Sequence, residues 1–207
     1  KRQPLLRLSL QIIIASIAFN QGISISKLDF SIFNFDVSLI KFNSIFRYLI
    51  TVFWLVGIPN AINWMDGLDG LAAGITSISS LAFFIISFHS GFPIVTLICA
   101  CLLGSSIGFL RYNFYPSKII MGDGGSNFLG SCLAFLGILP LSSFYMNFQN
   151  SDNFLINYFP IFFLAIPIFD MGSVILLRII KQKTIFYPDR NHLHHRLIDF
   201  GFSHKKT

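Results

Sequence analysis

Apolar runs long enough to cross a bilayer recur along this chain, and no other feature constrains its fold as strongly. A spanning helix needs about 20 mostly apolar residues. Leu5–Gln21, Ser44–Ile62, Leu71–His89, Phe92–Leu110, Phe128–Phe148 and Phe154–Ile180 are the candidates. The last is long enough to tilt or to continue past the membrane. Of the 207 residues, 54% are hydrophobic and 12% charged, more apolar surface than a soluble domain usually hides. The expected fold is an all-α integral membrane bundle of about six spans. No internal repeat or linker interrupts it, so residues 1–207 read as one domain.

Between the first two runs lies ISISKLDFSIFNFDVSLIKF, residues 23–42. Its apolar–polar alternation and its β-branched and aromatic residues predict a β-hairpin near Asn34. Basic residues then orient the bundle. On a six-span path Lys1, Arg2, Arg7, Arg111, Lys118, Arg178, Lys181, Lys183, Arg190, Arg196, Lys205 and Lys206 share one side. Lys27, Lys41 and Arg47 lie on the other. Twelve against three puts both termini in the cytoplasm and the hairpin outside. Residues 60–70, 111–126 and 181–207 then fall together on the cytoplasmic face.

Several classes drop out. The net charge of +6 includes no basic–aromatic interleaving of the kind a nucleic-acid groove needs, so no nucleic-acid partner is expected. Cys99, Cys101 and Cys132 sit inside apolar runs and read as small buried hydrophobes, with no disulfide framework. No small-residue cleavage site follows the first run, which argues against a signal peptide.

The polar segments carry the chemistry. In NAINWMDGLDGLAAG (residues 60–74), Asn60, Asn63, Asp66 and Asp69 recur every third residue. On an unbroken helix Asn60 and Asp69 face opposite ways, so they converge only if the helix breaks, which Gly67 and Gly70 allow. Such backbone at membrane depth is tolerated where it lines a cavity. The plain alternative is an interfacial loop with capping residues. A calcium loop is rejected, because all nine acidic residues are Asp and the closing Glu is missing.

GFLRYNFYPSKIIMGDGGSNFLG (residues 108–130) sets Asp123 among Gly122, Gly124 and Gly125, ahead of Ser126 as the expected cap of the next helix. Glycine-rich backbone before a helix N-terminus offers N–H groups to an anion, and Asp123 suits a divalent cation bound to that anion. A simple turn before a capped helix is the alternative. In PDRNHLHHRL (residues 188–197), His192, His194, His195, Arg190 and Arg196 form a cationic cluster. It fits a diphosphate better than zinc, and a basic tail on anionic lipid is the plainer reading. Asp170, two turns before Arg178 in the last run, is expected to be a structural ion-pair member, the alternative being that it helps to shape a cytoplasmic cavity.

Together these segments resemble the polyprenyl-phosphate N-acetylhexosamine-1-phosphate transferase superfamily, glycosyltransferase family 4. NAINWMDGLDGLAAG resembles its Asn-x-x-Asn-x-x-Asp-Gly-x-Asp-Gly loop, and GFLRYNFYPSKIIMGDGGSNFLG its Asn-x-x-Pro…Gly-Asp-x-Gly-Ser loop. PDRNHLHHRLIDFGFS resembles the His-x-His-His segment of undecaprenyl-phosphate GlcNAc-1-phosphate transferases. Family members also carry an Asp-Asp pair upstream of the first run. None is present here, so the chain is expected to be a C-terminal fragment of the full enzyme.

The resemblance implies a reaction and a cast of residues. UDP-N-acetylhexosamine, GlcNAc first, would donate its sugar-1-phosphate to undecaprenyl phosphate, releasing UMP and starting a cell-envelope polysaccharide. Mg²⁺, with Mn²⁺ as the substitute, would be held by Asn63 and Asp123. Asp66, Asp69, His192, His194 and His195 would be catalytic. Asn60, Asn113, Gly122, Gly124, Gly125, Ser126 and Arg196 would bind substrate. The expected setting is the bacterial inner membrane with a cytoplasmic active site, in contact with lipid, and a homodimer is the oligomer considered. The rivals are a transporter, which calls for polar residues at the midplane and a repeated half, and an inactive scaffold.

Overall fold

The structure is a computed structural model, and it describes residues 4–25, 27–28, 40–41, 43–142, 160–182 and 193–201. Its helices are α1 (Pro4–Asn20), α2 (Ser44–Met65), α3 (Leu71–His89), α4 (Pro93–Asn113), α5 (Gly122–Ile138), α6 (Ala165–Ile180) and α7 (Leu193–Asp199). A 3-10 turn, Leu139–Leu141, prolongs α5. Strands β1 (Lys27–Leu28) and β2 (Ile40–Lys41) pair antiparallel, Lys27 opposite Lys41. The expected hairpin tip near Asn34 lies outside the described residues.

Among the described residues, four helices are long and apolar enough to cross a membrane: α2, α3, α4 and Gly122–Leu141. Their outward faces carry large exposed hydrophobics such as Phe53, Ile78, Leu97 and Phe128, as a lipid-facing surface requires. The chain is therefore a multi-pass membrane protein. At 17 residues α1 is about 26 Å long, short of a bilayer's hydrocarbon core of about 30 Å.

α2 is the hub, packing against α1, α5 and α6. Its approach to α5 is very close. A Cβ added at Gly130 would stand 2.6 Å from Pro59 Cα and 3.2 Å from Ile62 Cβ, so only glycine lets the two backbones meet here. Trp54 Nε1 donates to the Ala134 carbonyl at 3.0 Å one turn further along. α3 and α4 form an antiparallel hairpin turned at Ser90–Gly91, where Gly91 has φ +75°. That hairpin returns the chain to the end of α2 from which it left.

Two expectations need correction. Phe154–Ile180 is not one continuous helix: residues 160–163 are helical, the helix breaks at Leu164, and α6 begins at Ala165. Pro167 has no N–H for the Phe163 carbonyl, which instead accepts from Ser79 Oγ of α3 at 3.1 Å. The second concerns α5, which starts at Gly122 rather than Phe128. Gly122, Gly124 and Gly125 are its first turn rather than a loop before it. Ser126 lies inside the helix and donates to the Gly122 carbonyl at 3.1 Å, so it is not the cap.

Candidate active site

The break expected within residues 60–74 falls after Met65. Asn60 and Asn63 are three apart on the last turns of α2, so they share a face. Asp66 is the C-cap of α2, and the turn ends at Gly70, whose φ of +79° suits glycine. Gly70 N–H donates to Asn113 Oδ1 at 3.1 Å, and Asn113 Nδ2 donates to the Ile119 carbonyl at 2.9 Å. Asn113 is only 5% exposed and both of its amide atoms are engaged with backbone. It ties the 66–70 turn to the segment after α4.

Sixty residues from Asn63 in sequence, Asp123 meets it. Asn63 Nδ2 donates to Asp123 Oδ1 at 3.3 Å and to Ser126 Oγ at 2.8 Å. The cause is the Gly130 contact: with α5 pressed on Pro59, the start of α5 is carried over the last turn of α2. Asp66 joins this pair. Burial first, then the neighbouring Asp123 carboxylate, pushes the Asp66 carboxyl up to about 6, while the Gly122 N–H opposes the rise. Asp69 faces another partner, accepting the Ser117 N–H at 3.0 Å.

Three contributors were not anticipated. Arg7 of α1 reaches Asn63 Oδ1 and Asn60 Oδ1, both at 3.3 Å, and lies 3.8 Å from Asp123 Oδ2. Gln11, one turn on, accepts from Asn60 Nδ2 at 2.8 Å and donates to Asn127 Oδ1 at 3.2 Å. Asn127 in turn donates to the Asp123 carbonyl at 2.7 Å. The signal was present: Arg7 and Gln11 are an i, i+4 polar pair in an apolar helix, where such residues are costly without a partner.

The result is a polar junction of α1, α2 and α5 at one end of the bundle. It holds two neighbouring carboxylates, amide and hydroxyl oxygens, and one guanidinium. Among the described residues no three His, Cys, Asp or Glu side chains gather as a metal cage. The donors are hard oxygens that already hold one cation, Arg7. Such a set fits Mg²⁺, which takes one or two carboxylates and completes its shell with water and phosphate oxygens. Asn63 presents Nδ2 to Asp123 and Oδ1 to Arg7, and a half-turn of its amide exchanges them.

Gly124 is exposed and Gly125 half-buried beside Met121 in the same first turn of α5. His194, His195 and Arg196 fall in α7, with the Arg196 side chain half-buried. His192 lies outside the described residues, as do the side chains of His194 and His195.

Known proteins are similar to this chain. The model of the glycosyl transferase family 4 matches residues 2–140. A probable undecaprenyl-phosphate N-acetylglucosaminyl 1-phosphate transferase of Bacillus subtilis is 42% identical over 77% of this chain and 43% of the relative. The decaprenyl-phosphate N-acetylglucosaminephosphotransferase of Mycobacterium leprae is 34% identical over 95% of this chain and 52% of its own. A phospho-N-acetylmuramoyl-pentapeptide-transferase of Lacticaseibacillus paracasei is 47% identical over 45% and 29%. The chain thus spans about half the length of the first two relatives. With the family model matched across α1 to α5, the site's own helices, the chain belongs to glycosyl transferase family 4.

Proposed function

We propose that the complete protein transfers a sugar-1-phosphate, GlcNAc-1-phosphate first, from a UDP-sugar to undecaprenyl phosphate at the cytoplasmic face of the inner membrane. The observation that carries this reading is the meeting of Asn63, Asp66 and Asp123 at one end of the bundle, beside a guanidinium. A phosphate oxygen of the lipid attacks the sugar-bearing phosphorus. The bond from that phosphorus to the UMP oxygen breaks, and UMP leaves with the electron pair.

Such a reaction asks the protein for positioning and charge balance more than for covalent chemistry. Mg²⁺ held by Asn63 and Asp123, or Mn²⁺ in its place, would neutralise diphosphate oxygens when bound. Arg7 sits where a phosphate of either substrate would meet a fixed positive charge. Asp66, raised by its surroundings, accepts hydrogen bonds from the sugar or from water. Asp69 holds the Ser117 backbone and so fixes the 66–70 turn against the segment after α4. Arg196 with His192, His194 and His195 brings further cationic donors from the tail.

The test is UMP release. Membranes carrying the complete gene product should release UMP from UDP-GlcNAc only when undecaprenyl phosphate and a divalent cation are both present. A lipid-linked product should appear in equal amount. UDP-GlcNAc left intact under those conditions would favour a scaffold.

A further inference from the structure

We propose that Asp170 is the positioning residue of the histidine-bearing tail, its buried carboxylate holding the first turn of α7 at the depth where the site begins. Leu193 N–H, the first of α7, donates to Asp170 Oδ1 at 2.6 Å, and Asp170 is 4% exposed. α7 has seven residues, well below the roughly 12–15 that an isolated helix needs in water. Its place must come from what it touches.

The depth follows from how α6 lies on α2. Met171, next to Asp170, has its Cε 3.5 Å from where a Cβ on Gly57 would stand. Two turns later the Arg178 guanidinium lies 4.9 Å from the Trp64 ring centroid. The two helices therefore run in register, and Asp170 is level with the turn of α2 that leads into Asn60. Since Asp170 is ten residues before Ile180, α7 begins beside a point of α6 about 15 Å back from its last residue. His194, His195 and Arg196 are the next residues of that docked helix.

The chemistry favours this pairing. A carboxylate buried in a membrane protein is costly unless it is paired. The N–H groups of a helix first turn are orphan donors at the positive end of a dipole, so each group satisfies the other.

Hydrogen exchange in nanodiscs, on the complete gene product, tests the proposal. In Asp170→Ala the α7 amides should exchange at least about tenfold faster, with α2 unchanged. Asp170→Asn keeps an acceptor oxygen and should restore most of the protection. UMP release should follow, its kcat falling more than its KM in the alanine variant and recovering with asparagine. That last step rests on the transferase reading.

Unchanged exchange of α7 in Asp170→Ala overturns the proposal. Lost protection with unchanged kcat overturns the positioning role. Should Asp170→Ala fail to fold, seen as fast exchange in α2, Asp170→Asn is compared with Asp170→Glu. Asparagine should keep α7 protected and the longer glutamate should not; equal protection overturns the proposal. A wild-type protein that releases no UMP sinks the transferase reading alone, since exchange still decides the contact.

Discussion

Asn113 and Asp123 sit at opposite extremes of exposure, and that decides how each should fail. Asn113 is 5% exposed and serves two backbone groups, so Asn113→Ala should cost about 1–3 kcal/mol of stability, read as a lowered melting temperature. The Asp123 side chain is 87% exposed. Asp123→Asn should therefore leave the melting temperature near wild type while cutting UMP release by about 100-fold or more. Equal melting and equal loss of activity in the two variants would mean that Asp123 is structural. Legibility divides along the same line. The pairing of Asn63 with Asp123, and the place of Asp66 beside them, is implied by the family resemblance, while the six-span path only returns them to one face. Arg7 carries a weaker signal, its i, i+4 spacing to Gln11, because an arginine near the start of an apolar run also counts toward orientation. Only the fold shows it turned onto Asn60 and Asn63.

At the scale of elements, one glycine sets the distance between the two halves of the site. Gly130→Ala places a methyl 2.6 Å from Pro59 Cα, a backbone atom that cannot swing away. It should cost about 1–3 kcal/mol and, by shifting the first turn of α5 from Asn63, lower UMP release more than Gly104→Ala, where nothing stands within 4 Å. The break before α6 gives a second expectation. Ser79→Ala should cost about 1 kcal/mol by removing the hydroxyl that donates to the Phe163 carbonyl, and the loss should shrink in a Pro167→Ala background, where residue 167 regains an N–H. Thermal unfolding of the four proteins checks it. The boundaries of α3, Leu71–His89, are legible in the sequence, because Gly70 and the Ser90–Gly91 turn mark both ends. The start of α5 is not. Three glycines suggest a loop, yet Gly122 needs only its positive φ and the following turn closes as helix.

For the molecule as a whole, orientation is the expectation most open to a direct check. In a background lacking the native cysteines, a Ser90→Cys protein should react with an impermeant maleimide in intact cells. Lys118→Cys should react only after permeabilisation. The reverse pattern would overturn the twelve-to-three assignment. What the linear chain could not convey is the junction of α1, α2 and α5, because its contacts join residues up to 116 apart. Its position along α2 has a consequence for how the two substrates arrive. Asn60 precedes Met65, the last residue of α2, by five residues, or about 8 Å along the axis. A headgroup layer is about 5–8 Å deep. With the end of α2 at the bilayer surface, the junction around Asn60 would lie at the base of that layer, level with the lipid phosphates. In the proposed reaction the lipid phosphate would then come to this level by sliding within its leaflet, and only the sugar nucleotide would cross from bulk water. Turnover in mixed vesicles should then follow the mole fraction of undecaprenyl phosphate in the bilayer and ignore how much solvent surrounds it.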